Sequence, residues 1–115
     1  MQNKVKGKLG EELAKKHLEA KGIKIIVQNY RYGHGEIDLI GLEENNFLIF
    51  FEVKYRKNNF YGDPESFVSP RQRQKIIATA HAYLLAYQWQ KDIRFDIISI
   101  LESDNSLIHF EDAFY

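Results

Sequence analysis

The chain has 115 residues, enough for one domain spanning residues 1–115, and its 44% hydrophobic content excludes a disordered protein. It contains no Cys, which excludes a disulfide framework, a thiolate metal site and a cysteine nucleophile. Net charge is zero but unevenly spread: residues 1–91 carry 15 Lys/Arg against 10 Asp/Glu, while residues 92–115 carry Arg94 against six acids. Such segregation can give a neutral protein one basic face.

The first residues, Met1 to Lys8, are basic but have no apolar run behind them, so no signal peptide is expected. The longest apolar stretch, Phe47 to Phe51, is strand-sized, so no membrane span is expected and the cytoplasm is the expected location. A helix is predicted over Lys8 to Lys21, stopping at Gly22, a residue suited to a C-terminal cap. Leu9, Leu13, His17 and Ala20 line one side of it, with Ala14 and Leu18 widening the stripe. A strand follows from Ile23 to about Arg31, then Tyr32-Gly33-His34-Gly35 supplies a turn tolerant of positive φ.

Glu36 to Leu42 and Phe47 to Arg56 read as the arms of a hairpin joined through Glu43-Glu44-Asn45-Asn46. Asn58 to Val68 reads as a polar and aromatic loop. Ser69-Pro70-Arg71-Gln72 opens a second helix, with Ser69 as N-cap, Pro70 at the first helical position and Gln72 completing a capping box. Ile76, Ala80, Tyr83, Leu84 and Tyr87 recur on that helix at packing distance along one face. Ile93 to Leu101 and Ser106 to Phe110 are two further strands. The expected fold is α/β, order αβββαββ, a mixed sheet flanked by helices.

The hairpin carries the chemistry. Alternation puts Glu36 and Asp38 on one face of the first arm, and Glu52, Lys54 and Arg56 on one face of the second. A three-residue loop of Glu44, Asn45 and Asn46 pairs Glu43 with Phe47, which sets Asp38 opposite Glu52 and Glu36 opposite Lys54. Glu36 and Lys54 then make an ordinary cross-strand ion pair. Directly opposed residues have Cβ atoms about 4.5–5.5 Å apart, where like charges destabilise a sheet. A shared divalent cation such as Mg2+ resolves the conflict between Asp38 and Glu52, and keeps waters for phosphate or for a nucleophile. Lys54, roughly 6.6–7 Å along the strand from Glu52, would put an ammonium beside it. A solvated strand of alternating charges is the bland alternative.

An acid on one strand followed by Glu-x-Lys on the next resembles the PD-(D/E)xK core of restriction endonucleases and archaeal Holliday junction resolvases. Gly10-Glu11-x-x-Ala14, Gly22, Asn29, Gly35-Glu36-Ile37-Asp38-Leu39-Ile40, Phe51-Glu52-Val53-Lys54-x-Arg56, Gly62, Arg94-Phe95-Asp96 and Ala113-Phe114 together resemble the YraN-like family of bacterial proteins. The resemblance implies a restriction-endonuclease-like fold and a Mg2+- or Mn2+-dependent endonuclease acting on DNA in repair or recombination. Asp38 and Glu52, helped by the Val53 carbonyl and by Glu11, would hold the metal, and Lys54 would be the catalytic lysine. A junction-resolvase likeness implies a homodimer.

Arg56, Arg71, Gln72, Arg73 and Lys75 are the expected nucleic-acid contacts, although Gln72 stands where the family usually has lysine. The scattered His17, His34, His81 and His109 have no zinc-ligand spacing and are assigned no role. Tyr30, Tyr32, Tyr55, Phe60 and Tyr61 could stack on bases, but packing is the commoner use of strand aromatics. The alternatives to an enzyme are a non-catalytic nucleic-acid-binding module that retains the nuclease fold, and an interaction protein recruited by another component.

Overall fold

The structure is a computed structural model that describes residues 2–44, 46–57 and 68–115, with backbone only for residues 2–6. Its elements are α1 (Gln2–Ala20), β1 (Ile23–Tyr32), β2 (Gly35–Glu43), β3 (Phe47–Arg56), α2 (Pro70–Ala86), β4 (Asp92–Leu101) and β5 (Leu107–Phe110). The order αβββαββ is the expected one. The loop expected before α2 lies, but for Val68, outside the described residues, as does Asn45.

The sheet runs β1-β2-β3-β4-β5. All neighbours are antiparallel except β3 and β4, which pair in parallel along their whole length, from Phe47↔Asp92 to Arg56↔Leu101. A parallel pair needs a crossover, and α2 lies within it. Leu48 to Phe51 and Phe95 to Ile100 are buried on both faces, as the central strands of a two-sided sheet must be. On one face Ile76, Ala80 and Tyr83 of α2 pack on Ile40, Phe50 and Phe95. On the other, Ala14 and Leu18 of α1 pack on Leu39, Ile49 and Phe51. Each buried Leu, Ile or Phe among them contributes about 1.5–3 kcal/mol by leaving water.

Local chemistry sets the joints. Gly22 takes φ 90° after α1 and Gly33 takes φ 60° between β1 and β2, backbone states that a Cβ penalises. Between β2 and β3, Glu44 is left-handed and Asn46 N–H donates to the Glu43 carbonyl at 2.8 Å. The resulting register, Glu43↔Phe47 through Leu39↔Phe51, is the one the loop length requires. At α2 the capping box is complete: Gln72 N–H donates to Ser69 Oγ at 3.1 Å, and Ser69 N–H to Gln72 Oε1 at 3.0 Å.

Three expectations need correction. Helix α1 begins at Gln2, a turn and a half before Lys8. Its buried row is Gly10, Ala14 and Leu18, not Leu9 to Ala20; Leu9 is 46% exposed. The i, i+4 row through Gly10 wins because the missing side chain lets the helix lie on β3, where a Cβ would stand 2.9 Å from Tyr55 Cδ2. On α2, Tyr87 is the exposed C-terminal cap, and buried Thr79 takes the packing role assigned to it.

A polar cluster ties the last strands together. Asp96, fully buried on β4, accepts from Arg94 Nε and Nη2 at 2.9 and 3.0 Å and from Asp112 N–H at 2.9 Å. His109 Nε2 of β5 lies 2.7 Å from the same carboxylate. Those partners hold Asp96 below the usual carboxylate range although burial alone would raise it.

Candidate active site

Asp38 lies one residue beyond the last paired residue of β2, and Glu52 one beyond its partner on β3. Continuing the register sets them opposite each other, but the ladder stops there. In its place Val53 N–H donates to Asp38 Oδ2 at 2.7 Å, so the side chain takes over from a backbone carbonyl. Two carboxyls are thereby pressed together at the open end of the hairpin. Burial first, then the negative charge of Glu52, pushes the Asp38 carboxyl up to about 8, against the lowering effect of the Val53 N–H. A hydrogen bond with Glu52 and the charge of Glu11 add to the rise.

Lys54 Nζ stands 3.2 Å from Glu52 Oε2, with both side chains largely buried. Glu36 turns the other way and meets Arg31 Nε at 3.1 Å. The expected Glu36–Lys54 pair is therefore replaced by two others. Once strand pairing ends at Leu39, Glu36 is nearer its antiparallel partner Arg31 on β1 than Lys54 on β3.

Glu11 sits at the edge of the buried row of α1, while Glu12 and Lys16 face solvent. Its carboxyl is raised, mainly by burial and by the charges of Glu36 and Glu52, with a hydrogen bond from Asn29 opposing. Asn29 holds a left-handed backbone, φ 54°. Among the described residues no three of His, Asp and Glu converge tightly enough to hold a metal ion. Glu11 takes a hydrogen bond from Asn29 of β1, and its charge still reaches Asp38. The donors that remain fit a hard cation that takes two carboxylates, keeps several waters and has room for the Val53 carbonyl. Asp38 is raised first by burial and then by the charge of Glu52, and a cation between the two carboxyls would offset the second cause.

A pocket of about 250 Å³ opens beside the pair, lined by His34, Gly35, Glu36, Asp38, Glu52, Gln72, Lys75 and Ile76. Gly35 makes it: a Cβ there would overlap Thr79 Oγ1 and stand 3.1 Å from the Lys75 carbonyl, so only glycine lets β2 start against α2. Of the expected nucleic-acid contacts, Gln72 and Lys75 line this pocket. Arg71, Arg73 and Arg56 do not; Arg71 is exposed, and Arg73 and Arg56 half-buried. Sequence reasoning passed over His34, Gly35 as a packing glycine, and Thr79. The signal for His34 was its place between two glycines just before the acidic motif.

Sheet order and crossover together define an α/β domain with a mixed five-stranded sheet and two helices. The chain belongs to the uncharacterised protein family UPF0102, whose model matches residues 10–100. A UPF0102 protein of Cytophaga hutchinsonii is 50% identical over 100 residues, covering 87% of this chain and 88% of the relative. Those of Clostridioides difficile and Persephonella marina are 41% and 40% identical, covering 99% and 96% of this chain and 100% and 93% of theirs. Among solved structures, Pyrococcus furiosus SfsA in complex with Ca2+ aligns with a TM-score of 0.40 and 19% identity, over 95% of this chain and 63% of that one. That likeness is too distant to carry function.

Proposed function

We propose that this protein is a Mg2+- or Mn2+-dependent endonuclease that hydrolyses DNA phosphodiester bonds in the cytoplasm. The observation that carries the reading is the pair of opposed, largely buried carboxyls of Asp38 and Glu52 with the Lys54 ammonium 3.2 Å from one of them. A pair that raises its own proton affinity lowers stability without a cation, and a strand serving only the fold has no use for it.

Asp38 and Glu52 would hold the ion, with the Val53 carbonyl available to it. The ion supplies Lewis-acid polarisation of the phosphate and a water of lowered pKa. Lys54 Nζ is placed to orient the attacking water and to offset charge developing on phosphate. Gln72 spends its side-chain oxygen on the Ser69 N–H and keeps its amide donors for the pocket. With Lys75 and the α2 N-terminus they give phosphate a cationic wall.

The test is incubation with flap, junction, single-stranded and duplex DNA in Mg2+, Mn2+ or EDTA. Cleavage should need the metal and fall by orders of magnitude in Asp38→Ala, Glu52→Ala and Lys54→Ala alike, because such residues act as a unit. Activity that survives in EDTA, or in Lys54→Ala, removes the mechanism. Binding without cleavage in wild type would return the non-catalytic module, which Gln72 in place of the family's usual lysine favours.

A further inference from the structure

We infer that His34 is the proton donor to the oxygen that leaves the scissile phosphate, an inference that rests on the nuclease reading above. The site as described has groups for binding phosphate and for activating water, but nothing yet assigned to the departing alkoxide. An alkoxide is a poor leaving group, and a positioned general acid accelerates its departure by about 100-fold or more.

Among the described residues, the wall of the pocket offers few donors. Glu36, Asp38 and Glu52 come from the sheet and Gln72 and Lys75 from α2. Asp38 and Glu52 are engaged with each other and Glu52 with Lys54; Glu36 is paired with Arg31; Gln72 carries no acidic proton. Lys75 is a point charge suited to holding phosphate. His34 remains. Imidazole is the commonest side chain in proton transfer near neutral pH.

His34 is exposed, yet its backbone is fixed. Gly33 turns the chain in a left-handed state on one side, and Gly35 is seated against Thr79 and the Lys75 carbonyl on the other. Thr79 is itself held, its hydroxyl donating to the Lys75 carbonyl at 2.7 Å. The imidazole thus starts from a fixed corner at the pocket wall, across from α2 and in the turn that opens the strand carrying Asp38.

The step balances as follows. Water forms a bond to phosphorus and gives its proton to solvent. The bond from phosphorus to the bridging oxygen breaks, its electron pair goes to that oxygen, and the His34 imidazolium supplies the proton. His34 is reprotonated from solvent.

The experiment compares two versions of one DNA substrate at its mapped cleavage position, with oxygen or sulfur as the departing bridging atom. A thiolate leaves without protonation. His34→Gln should cut the oxygen substrate about 100-fold more slowly than wild type, and the sulfur substrate at the wild-type rate. Equal slowing on both substrates, or none on either, overturns the assignment while leaving the nuclease reading intact. No cleavage by wild type, or undiminished cleavage by Asp38→Ala, overturns both. Unchanged thermal unfolding of His34→Gln shows that the fold is not the cause.

Discussion

At the residue scale, Asp38 couples chemistry to stability. Its carboxyl sits near 8 in the fold against an ordinary 3.8. Between those limits the folded chain holds a proton that the unfolded chain releases, so the group lowers stability as pH rises through that window. The penalty is absent below about pH 4 and complete above about pH 8. Asp38→Asn removes the titration and keeps an oxygen for the Val53 N–H. In EDTA at pH 8.5 it should therefore melt several degrees above wild type, and at pH 4.5 the gap should nearly close. In millimolar Mn2+ the order should reverse, since wild type gains stability in proportion to the logarithm of metal over its dissociation constant. Thermal unfolding under these three conditions checks it. A variant that melts lower in EDTA at both pH values makes Asp38 a structural hydrogen-bonding residue. The pairing of Asp38 with Glu52 was legible in the sequence because one loop length fixes one register. The ion pairs of Glu36 and Lys54 were not, because ladder counting assumes strands that stay paired to their ends.

At the element scale, the contact of β2 with α2 decides whether the pocket exists. Gly35→Ala drives a Cβ into Thr79 Oγ1 and toward the Lys75 carbonyl. Overpacking of this kind costs about 1–3 kcal/mol. Thr79→Ala removes the hydroxyl that is struck, so the double variant should recover part of the loss in a denaturant-unfolding cycle. Strict additivity would mean that the two positions do not meet. Elements as such were readable: strand periods, the Gly22 stop and the Ser69 capping box all emerge as written. The face that α1 buries was not, because a helix with apolar residues on several rows gives no unique stripe. What selects Gly10, Ala14 and Leu18 is a tertiary fit against Tyr55, and a glycine scores as nothing on any hydrophobic pattern.

At the scale of the whole molecule, the surplus of basic residues before position 92 reaches the pocket mainly through Lys75 on α2. Lys75→Ala should weaken binding to duplex DNA and reduce the slope of log affinity against log salt by about one. Titrations at several salt concentrations measure it, and an unchanged slope removes Lys75 as a phosphate contact. Arg71 and Arg73, outside the pocket wall, should change the slope less. Sequence alone grouped these residues because they are adjacent in a helix turn; a helix sends neighbours in different directions, and only the docked sheet says which of them face the acids.

Asp96 sets a condition on how the chain is made. Two of its partners, His109 and the Asp112 N–H, come from segments synthesised more than a dozen residues after it. Ala113 N–H meets the Phe95 carbonyl and Phe114 is buried beside Phe95. A nascent chain that has emerged from the ribosome only through β4 has the acidic hairpin and both helices but an unfinished edge beside them. It holds a carboxylate short of partners and an uncovered apolar strand. The chain must extend past residue 112 before the sheet can close, so a chain cut after β4 would carry Asp38 and Glu52 on a sheet with an open edge.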